Sequence, residues 1–276
     1  MHALKRLLVH LDGTGAAARR LGLAVDLARR HGATLDVAFA VTPRFVPLPI
    51  PYGEGIPPAP LLQEVDGRHR RHAHAVYQRL CADAADGRWL DLSGADAIDR
   101  LLRRARLSDC VVLGQPDRED VAGSDVPAHL AETVLFGAGV PVLLVPRLGA
   151  AGPGPEVVLA AWTSTPEAAR ALSTALPLLV QAREVHVAVG ERGAPGAADE
   201  DGLRDFLSAH GVHHVRIHPG IPDAGAGDAL LSLAADTGAG LLVMGAYGHG
   251  RAREWILGGA TRTVLSSMTL PVWMAH

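Results

Sequence analysis

Only two cysteines occur in 276 residues, Cys81 and Cys110, far apart and in neither metal-binding nor redox spacing. Cys110, inside an apolar run, reads as a small buried hydrophobe. No apolar stretch approaches the roughly 20 residues that a membrane-spanning helix needs. The run after Lys5 and Arg6 is interrupted by His10 and ended by Asp12, which is not the pattern of a signal peptide. A soluble protein of a reducing cytoplasm is expected. Neither sign of charge dominates: 26 Lys and Arg face 29 Asp and Glu, interspersed, for a formal net charge of −3. A polyanion partner such as nucleic acid wants a basic stripe, and none is present. Also missing are a G-x-S-x-G elbow, a Ser, His and Asp arrangement, and a Walker lysine motif. Catalysis by a nucleophile therefore has little support, and no residue stands out as a general base for ATP hydrolysis.

What is present is a compact composition, 48% apolar and 20% charged, over a length that suggests about two domains. The chain also repeats itself. Residues 7–12 (LLVHLD) and 157–162 (VVLAAW) read as buried strands, each followed by a polar turn and an alanine-rich helix. Ala17, Leu21, Ala24, Val25 and Ala28 form the helical stripe in the first copy, ending near Gly32. In the second copy, Thr165 is the expected N-cap, Pro166 the first helical residue and Glu167 a first-turn acid. Its stripe is Ala168, Ala171, Leu172, Ala175, Leu176 and Leu179.

The closing segments match too. CVVLG ending at Gly114 precedes Pro141 by 27 residues, and LLVMG ending at Gly245 precedes Pro271 by 26. Extra length in the first copy falls mostly in the proline-rich, apolar residues 43–60, expected to cover the first site, and 149–155 (GAAGPGP) reads as the linker. Apolar runs at 157–161, 185–189, 212–217, 241–244 and 270–274 alternate with helical patterns in the second copy. The expected fold is α/β: two tandem doubly wound domains, residues 1–148 and 155–276, each a five-stranded parallel sheet with helices on both faces. Ligands of such sheets bind at the carboxyl ends of the strands, where Gly114 and Gly245 both fall.

After the run 241–244 comes Gly245-Ala-Tyr-Gly248, then nine residues, then Gly258-Gly259-Ala260-Thr261 at a helix start. Glycines admit an anion close to backbone N–H groups, and a helix start leaves donors unpaired. His249, Arg251, Arg253 and Arg262 add nearby positive charge, with Arg253 and Trp255 reading as loop or partner contacts. The Gly-x-x-Gly-x9-Gly spacing, with WTSTPEAARAL earlier in the same copy, resembles the universal stress protein family, and nearly the whole chain looks like a tandem member.

That resemblance implies binding of ATP, or of AMP or ADP, with or without magnesium, in the C-terminal domain. Phosphate would meet the backbone at Gly245, Gly248, Gly258, Gly259 and Ala260, with His249 and Thr261 close by. The nucleoside would meet the end of the first strand, at Ala161 and Thr163, and the region of Val189. Binding rather than turnover in a stress response is implied, as is pairing of the last strands (141–145 and 271–274) into an internal pseudo-dimer, with further homo-oligomers not surprising. Two departures stand out. Thr163 occupies a place commonly acidic in the family, and Gly259 a place commonly Ser or Thr. The first copy keeps an acid there, Asp12, but its loop runs Gln115-Pro116-Asp117-Arg118-Glu119-Asp120, poor in donors and rich in negative charge. It is expected to be a degenerate, empty site.

Competing readings are weaker. Gly13-Thr-Gly15-Ala-Ala-Ala18 fits a dinucleotide fingerprint, but the acid about 20 positions on, Asp36, opens the second strand where it should close it. His72 with His74, in a charged run, reads as a solvated helix face, and His213 with His214 as surface. A nucleotide-free scaffold or interaction module is the remaining class.

Overall fold

The computed structural model describes residues 3–41, 48–50, 53–55, 59–81, 87–116, 126–127, 129–149, 156–191, 197–247 and 259–276. They form two compact units, Lys5–Ala138 and one made mainly of Gly139–His276.

The Lys5–Ala138 unit runs β1 (Arg6–Leu11), α1 (Ala17–His31), β2 (Thr34–Phe39), the short hairpin β3 (Leu48–Ile50) and β4 (Gly53–Gly55), α2 (Ala59–Cys81), β5 (Gly87–Asp91), α3 (Ala97–Ala105), β6 (Cys110–Gly114) and α4 (Leu130–Ala138). Its main strands lie in the order β6-β1-β2-β5, all parallel. The stripe read from sequence on α1 is the face it buries. Gly32, at φ 58°, ends the helix in the left-handed region that glycine enters without strain, and Arg29, Arg30 and His31 sit in the last turn where they complement the dipole. Cys81 and Cys110 are both buried free thiols.

The other unit runs β7 (Val142–Val145), β8 (Val157–Trp162), α5 (Pro166–Leu179), β9 (Glu184–Gly190), α6 (Ala197–Ala209), β10 (Val215–Ile221), α7 (Ala226–Thr237), β11 (Leu241–Gly245), α8 (Gly259–Ser267) and β12 (Val272–Ala275). Strand order is β10-β9-β8-β11-β12-β7. The first five are parallel, so that the chain starts in the middle, builds outward through β9 and β10, then reverses to add β11 and β12. That doubly wound order matches the alternation of runs in the sequence, and it puts the switch point between β8 and β11. Strand β7 closes the first repeat in sequence, yet its contacts group it with this second unit. It lies antiparallel on β12, with Val272 opposite Leu144 and Met274 opposite Val142.

Helix α5 starts where its residues dictate. Thr165 Oγ1 accepts from the Ala168 backbone N–H at 3.3 Å, and Pro166 takes the first helical position. All six stripe residues are buried, each leucine contributing about 1.5–3 kcal/mol of transfer free energy. Trp273, fully buried on β12, fastens strand to helix by donating Nε1–H to Thr174 Oγ1 at 3.1 Å. Strand β10 differs from expectation at both ends: it runs Val215–Ile221, where the apolar run suggested 212–217. Gly211, at φ 86°, terminates α6, and Val212 folds back to donate to the Leu207 carbonyl at 2.9 Å. Its burial is that of a helix cap rather than of a strand. Among the described residues no helix is long and apolar enough to cross a membrane.

Candidate functional site

At the switch point of the Gly139–His276 unit, a cleft of about 560 Å³ opens at the carboxyl ends of the strands. Strands β8 and β11, with Thr163 just after β8, supply its floor through Ala161, Trp162, Met244 and Gly245. Three helices begin at its rim: α5 through Thr165, Glu167 and Ala168, α7 through Ala226, and α8 through Gly259, Ala260 and Thr261. A helix start carries partial positive charge and N–H groups without intrahelical partners.

The three starts differ in what they leave available. On α5, proline removes one donor and the Thr165 cap consumes another. Helix α7 is preceded by Gly225 in the left-handed region, which has no side chain to cap it. Helix α8 opens with Gly259 and Ala260, likewise without capping side chains. Among the described residues, the α7 start has no side-chain cap, and Gly259 and Ala260 bring none of their own to α8.

Close packing holds these starts in place. A Cβ on Gly245 would lie 2.7 Å from the Ala168 nitrogen and 2.8 Å from the Glu167 carbonyl carbon, so only glycine lets β11 end against the first turn of α5. Gly227 does the same between α7 and α8, where a Cβ would sit 2.6 Å from Thr263 Cβ and 2.9 Å from the Ala260 oxygen. Tyr247 N–H donates to Thr261 Oγ1 at 3.4 Å, tying the residues after β11 to the start of α8. Thr261 is buried and serves this junction. Tyr247, at φ 61°, is a non-glycine residue in the left-handed region, a strained conformation of the kind found at ligand sites.

Of the residues expected from sequence, Ala161, Thr163, Gly245, Gly259, Ala260 and Thr261 come together on this cleft. Gly248, His249 and Gly258 lie outside the described residues, as do Arg251, Arg253 and Trp255. Val189 is not among the lining residues. It is 1% exposed on β9, and its neighbours Ala188 and Gly190, which strand alternation puts on the opposite face, border the cleft instead. Sequence reasoning missed Trp162, Ile221, Asp223 and Tyr247 as lining residues. A signal for Ile221 and Asp223 existed in the strand-to-helix transition before Ala226, once β10 is given its true end. Glu167, expected only as a first-turn acid, also faces the cleft.

In the Lys5–Ala138 unit a buried cation lies against the ends of the corresponding strands. Arg20, 2% exposed, reaches from α1 to the end of β1, donating from Nη2 to Asp12 Oδ2 at 2.8 Å and from Nη1 to the His10 carbonyl at 3.0 Å. The other carboxylate oxygen of Asp12 accepts from Thr14 N at 2.9 Å and Thr14 Oγ1 at 2.5 Å. A Cβ on Gly114 would meet the guanidinium carbon at 3.1 Å, so the cation lies directly against the end of β6. Burial pushes the Asp12 carboxyl up, but the charge of Arg20 and the hydrogen bonds outweigh it and hold the group well below the usual carboxylate range. The acid retained in this copy is thus committed to an internal cation.

Two rival sites are answered by the same geometry. Asp36 lies in the first half of β2, where Arg6 Nη2 (2.9 Å) and Arg88 Nε (3.0 Å) from the flanking strands hold it, far from any ribose at the strand's carboxyl end. The space beside Gly13 is taken by His69, whose ring carbon lies 2.5 Å from where a Cβ would be. His72 is exposed on α2, whereas His74 turns inward against Tyr77 and Trp89, with ring centroids 5.7 and 5.0 Å away. Among the described residues no group of three His, Cys, Asp or Glu is placed to hold a metal ion.

No protein-family model matches the chain, and no curated protein sequence does. Solved structures do. A universal stress protein from Archaeoglobus fulgidus superposes with a TM-score of 0.73 over 98% of this chain and 95% of its own, at 19% identity. This chain has the universal stress protein fold. A universal stress protein candidate from Pseudomonas aeruginosa gives a TM-score of 0.61 over 99% and 93% of the two chains, at 16% identity. A functionally unknown protein from Pseudomonas aeruginosa PAO1 gives 0.61 over 99% and 92%, at 15%. Full-length superposition means that both repeats of this chain, and not one alone, follow the universal stress protein fold.

Proposed function

We propose that this chain is a tandem universal stress protein that binds ATP, or a related adenine nucleotide, in its C-terminal half and acts in a cytoplasmic stress response by binding rather than by turnover. The observation that carries the reading is the convergence of three helix starts on one cleft at the β8–β11 switch point. Anions and phosphates are favoured there by the unpaired N–H groups. The residues present suit such a ligand: donors on the α7 and α8 wall would take the phosphate tail, with or without magnesium, and the β8 and α5 side would take the nucleoside. When bound, the nucleotide would supply a signalling charge rather than a reactive group. The N-terminal half, its Asp12 bound to Arg20, would have a structural duty. Antiparallel pairing of β7 with β12 supports an internal pseudo-dimer joined through the last strands of the two repeats.

Mass spectrometry of a denatured extract of the purified protein tests the proposal. Co-purifying ATP, ADP or AMP supports it, NAD(P) would favour an oxidoreductase, and no nucleotide combined with no calorimetric binding of ATP would leave a scaffold. Calorimetry with a Gly248→Val variant tests the glycine loop itself, and equal affinity in both proteins removes that loop from the site. A coupled phosphate-release assay tests turnover, for which none is expected.

A further inference from the structure

The described lining of the cleft holds two charged side chains, Glu167 and Asp223, and both are acidic. Asp223 is solvent-exposed at the rim. Glu167 is different. Its Oε2 is shut off from solvent and has no hydrogen-bond partner among the described residues. A carboxylate oxygen left dry and unpaired is costly, and proteins seldom keep one without a use. Its backbone is wedged against Gly245, with its own Cβ 3.0 Å from where a Cβ on that glycine would lie, so the side chain projects from a fixed base.

Thr163, which stands at the end of β8, does not offer an equivalent acceptor. Its hydroxyl lies 3.5 Å from Thr165 Oγ1, and its methyl carbon packs towards Gly190, 2.9 Å from where a Cβ there would be. The cleft is consequently polarised: N–H donors along α7 and α8, and an acceptor-only group on the α5 side.

Resting on the nucleotide reading above, we infer that Glu167 selects the ligand by accepting a hydrogen bond from a neutral donor of its nucleoside end. A phosphate cannot occupy that position, because it brings acceptors and negative charge to a carboxylate. Two groups of an adenine nucleoside can supply the donor, a ribose hydroxyl or the exocyclic amine. Either satisfies the dry oxygen and leaves the phosphate tail to the opposite wall.

Calorimetric titration of the full-length protein and its Glu167→Ala and Glu167→Gln variants decides the matter, with ATP, 2′-deoxy-ATP, 3′-deoxy-ATP and inosine triphosphate as probes. Glu167→Ala is expected to bind ATP roughly ten- to a hundredfold more weakly, the range of one hydrogen bond to a charged group. Wild type is expected to disfavour one analogue by a similar factor, and that handicap should vanish in Glu167→Ala. A vanished handicap for a deoxy analogue identifies a ribose hydroxyl as the donor, and one for inosine triphosphate identifies the amine. Glu167→Gln keeps the shape and one acceptor but loses the charge, so its affinity should fall between the two, with a melting temperature at or above that of wild type. Wild-type affinity and selectivity in a natively melting Glu167→Gln, or in Glu167→Ala, overturn the assignment while leaving the nucleotide reading intact. Failure of wild type to bind any of the four removes both.

Discussion

The buried triad of His10, Asp12 and Arg20 makes stability depend on pH in a calculable way. His10 is 1% exposed, and both its ring nitrogens are engaged: Nδ1 with Arg20 Nη1 at 3.2 Å, Nε2 with the Ala40 carbonyl at 2.8 Å. A guanidinium nitrogen can only donate, so Nδ1 accepts and Nε2 carries the proton. Protonating Nδ1 would set N–H against N–H in a dry site. Accordingly, burial first and the Arg20 charge second push His10 from its ordinary 6.5 down to about 4, against smaller opposing pulls from Asp12 and the Ala40 carbonyl.

The unfolded chain therefore takes up this proton near pH 6.5, and the folded unit does so only near 4. Between those values unfolding binds a proton, and stability falls as pH falls. From about pH 7 to about pH 4.5 the loss from this one group is about 2–3 kcal/mol. Asp12 stays ionised across the window, its carboxyl being held well below it. Urea denaturation of wild type and a His10→Gln variant, followed by hydrogen exchange in peptides covering Arg6–Leu11, isolates the term. Glutamine can donate to Ala40 and accept from Arg20 but does not titrate. The variant is expected to lose about 2–3 kcal/mol less than wild type over that range. Parallel pH dependences in the two proteins would refute the assignment of His10 as a neutral, Arg20-bonded ring.

Other perturbations have equally definite outcomes. Gly227→Ala should destabilise the C-terminal unit by about 1–3 kcal/mol in urea melts through its collision with Thr263 and Ala260. Helix propensity alone would give a gain of up to about 1 kcal/mol, so a stabilised variant would disprove the tight crossing. Gly245→Ala should cost a similar amount, about 1–3 kcal/mol, and weaken ATP binding in calorimetry, because the methyl meets backbone atoms of α5 that cannot swing aside. Arg20→Leu should destabilise the N-terminal unit by about 3–5 kcal/mol by leaving Asp12 charged and unpaired. Adding Asp12→Asn should recover part of that loss, and no recovery in the urea midpoint would mean that the pair is not coupled.

Much of this architecture could be read from residue patterns because local and tertiary demands agree. The stripes on α1 and α5 are the buried faces, and Thr165-Pro166 starts its helix as capping chemistry requires. The start of β10 was misread because Val212 is apolar for a different reason, as the hydrophobic partner of a glycine cap. Within the cleft, Gly245 and the residues opening α8 were legible through glycine spacing. Val189 was not placed correctly because a buried run carries no alternation to show which side faces the ligand. The role of Arg20 was invisible for a related reason: an arginine on an amphipathic helix gives no sign in sequence that it will turn inward to meet an aspartate eight positions earlier.

The position of β7 bears on how the molecule can be dissected. Cutting within the glycine- and proline-rich stretch at 149–155 would strip β12 of its neighbour and bare a fully apolar edge, Val272–Ala275, to other chains. A fragment beginning at Gly139 would keep β12 paired with β7.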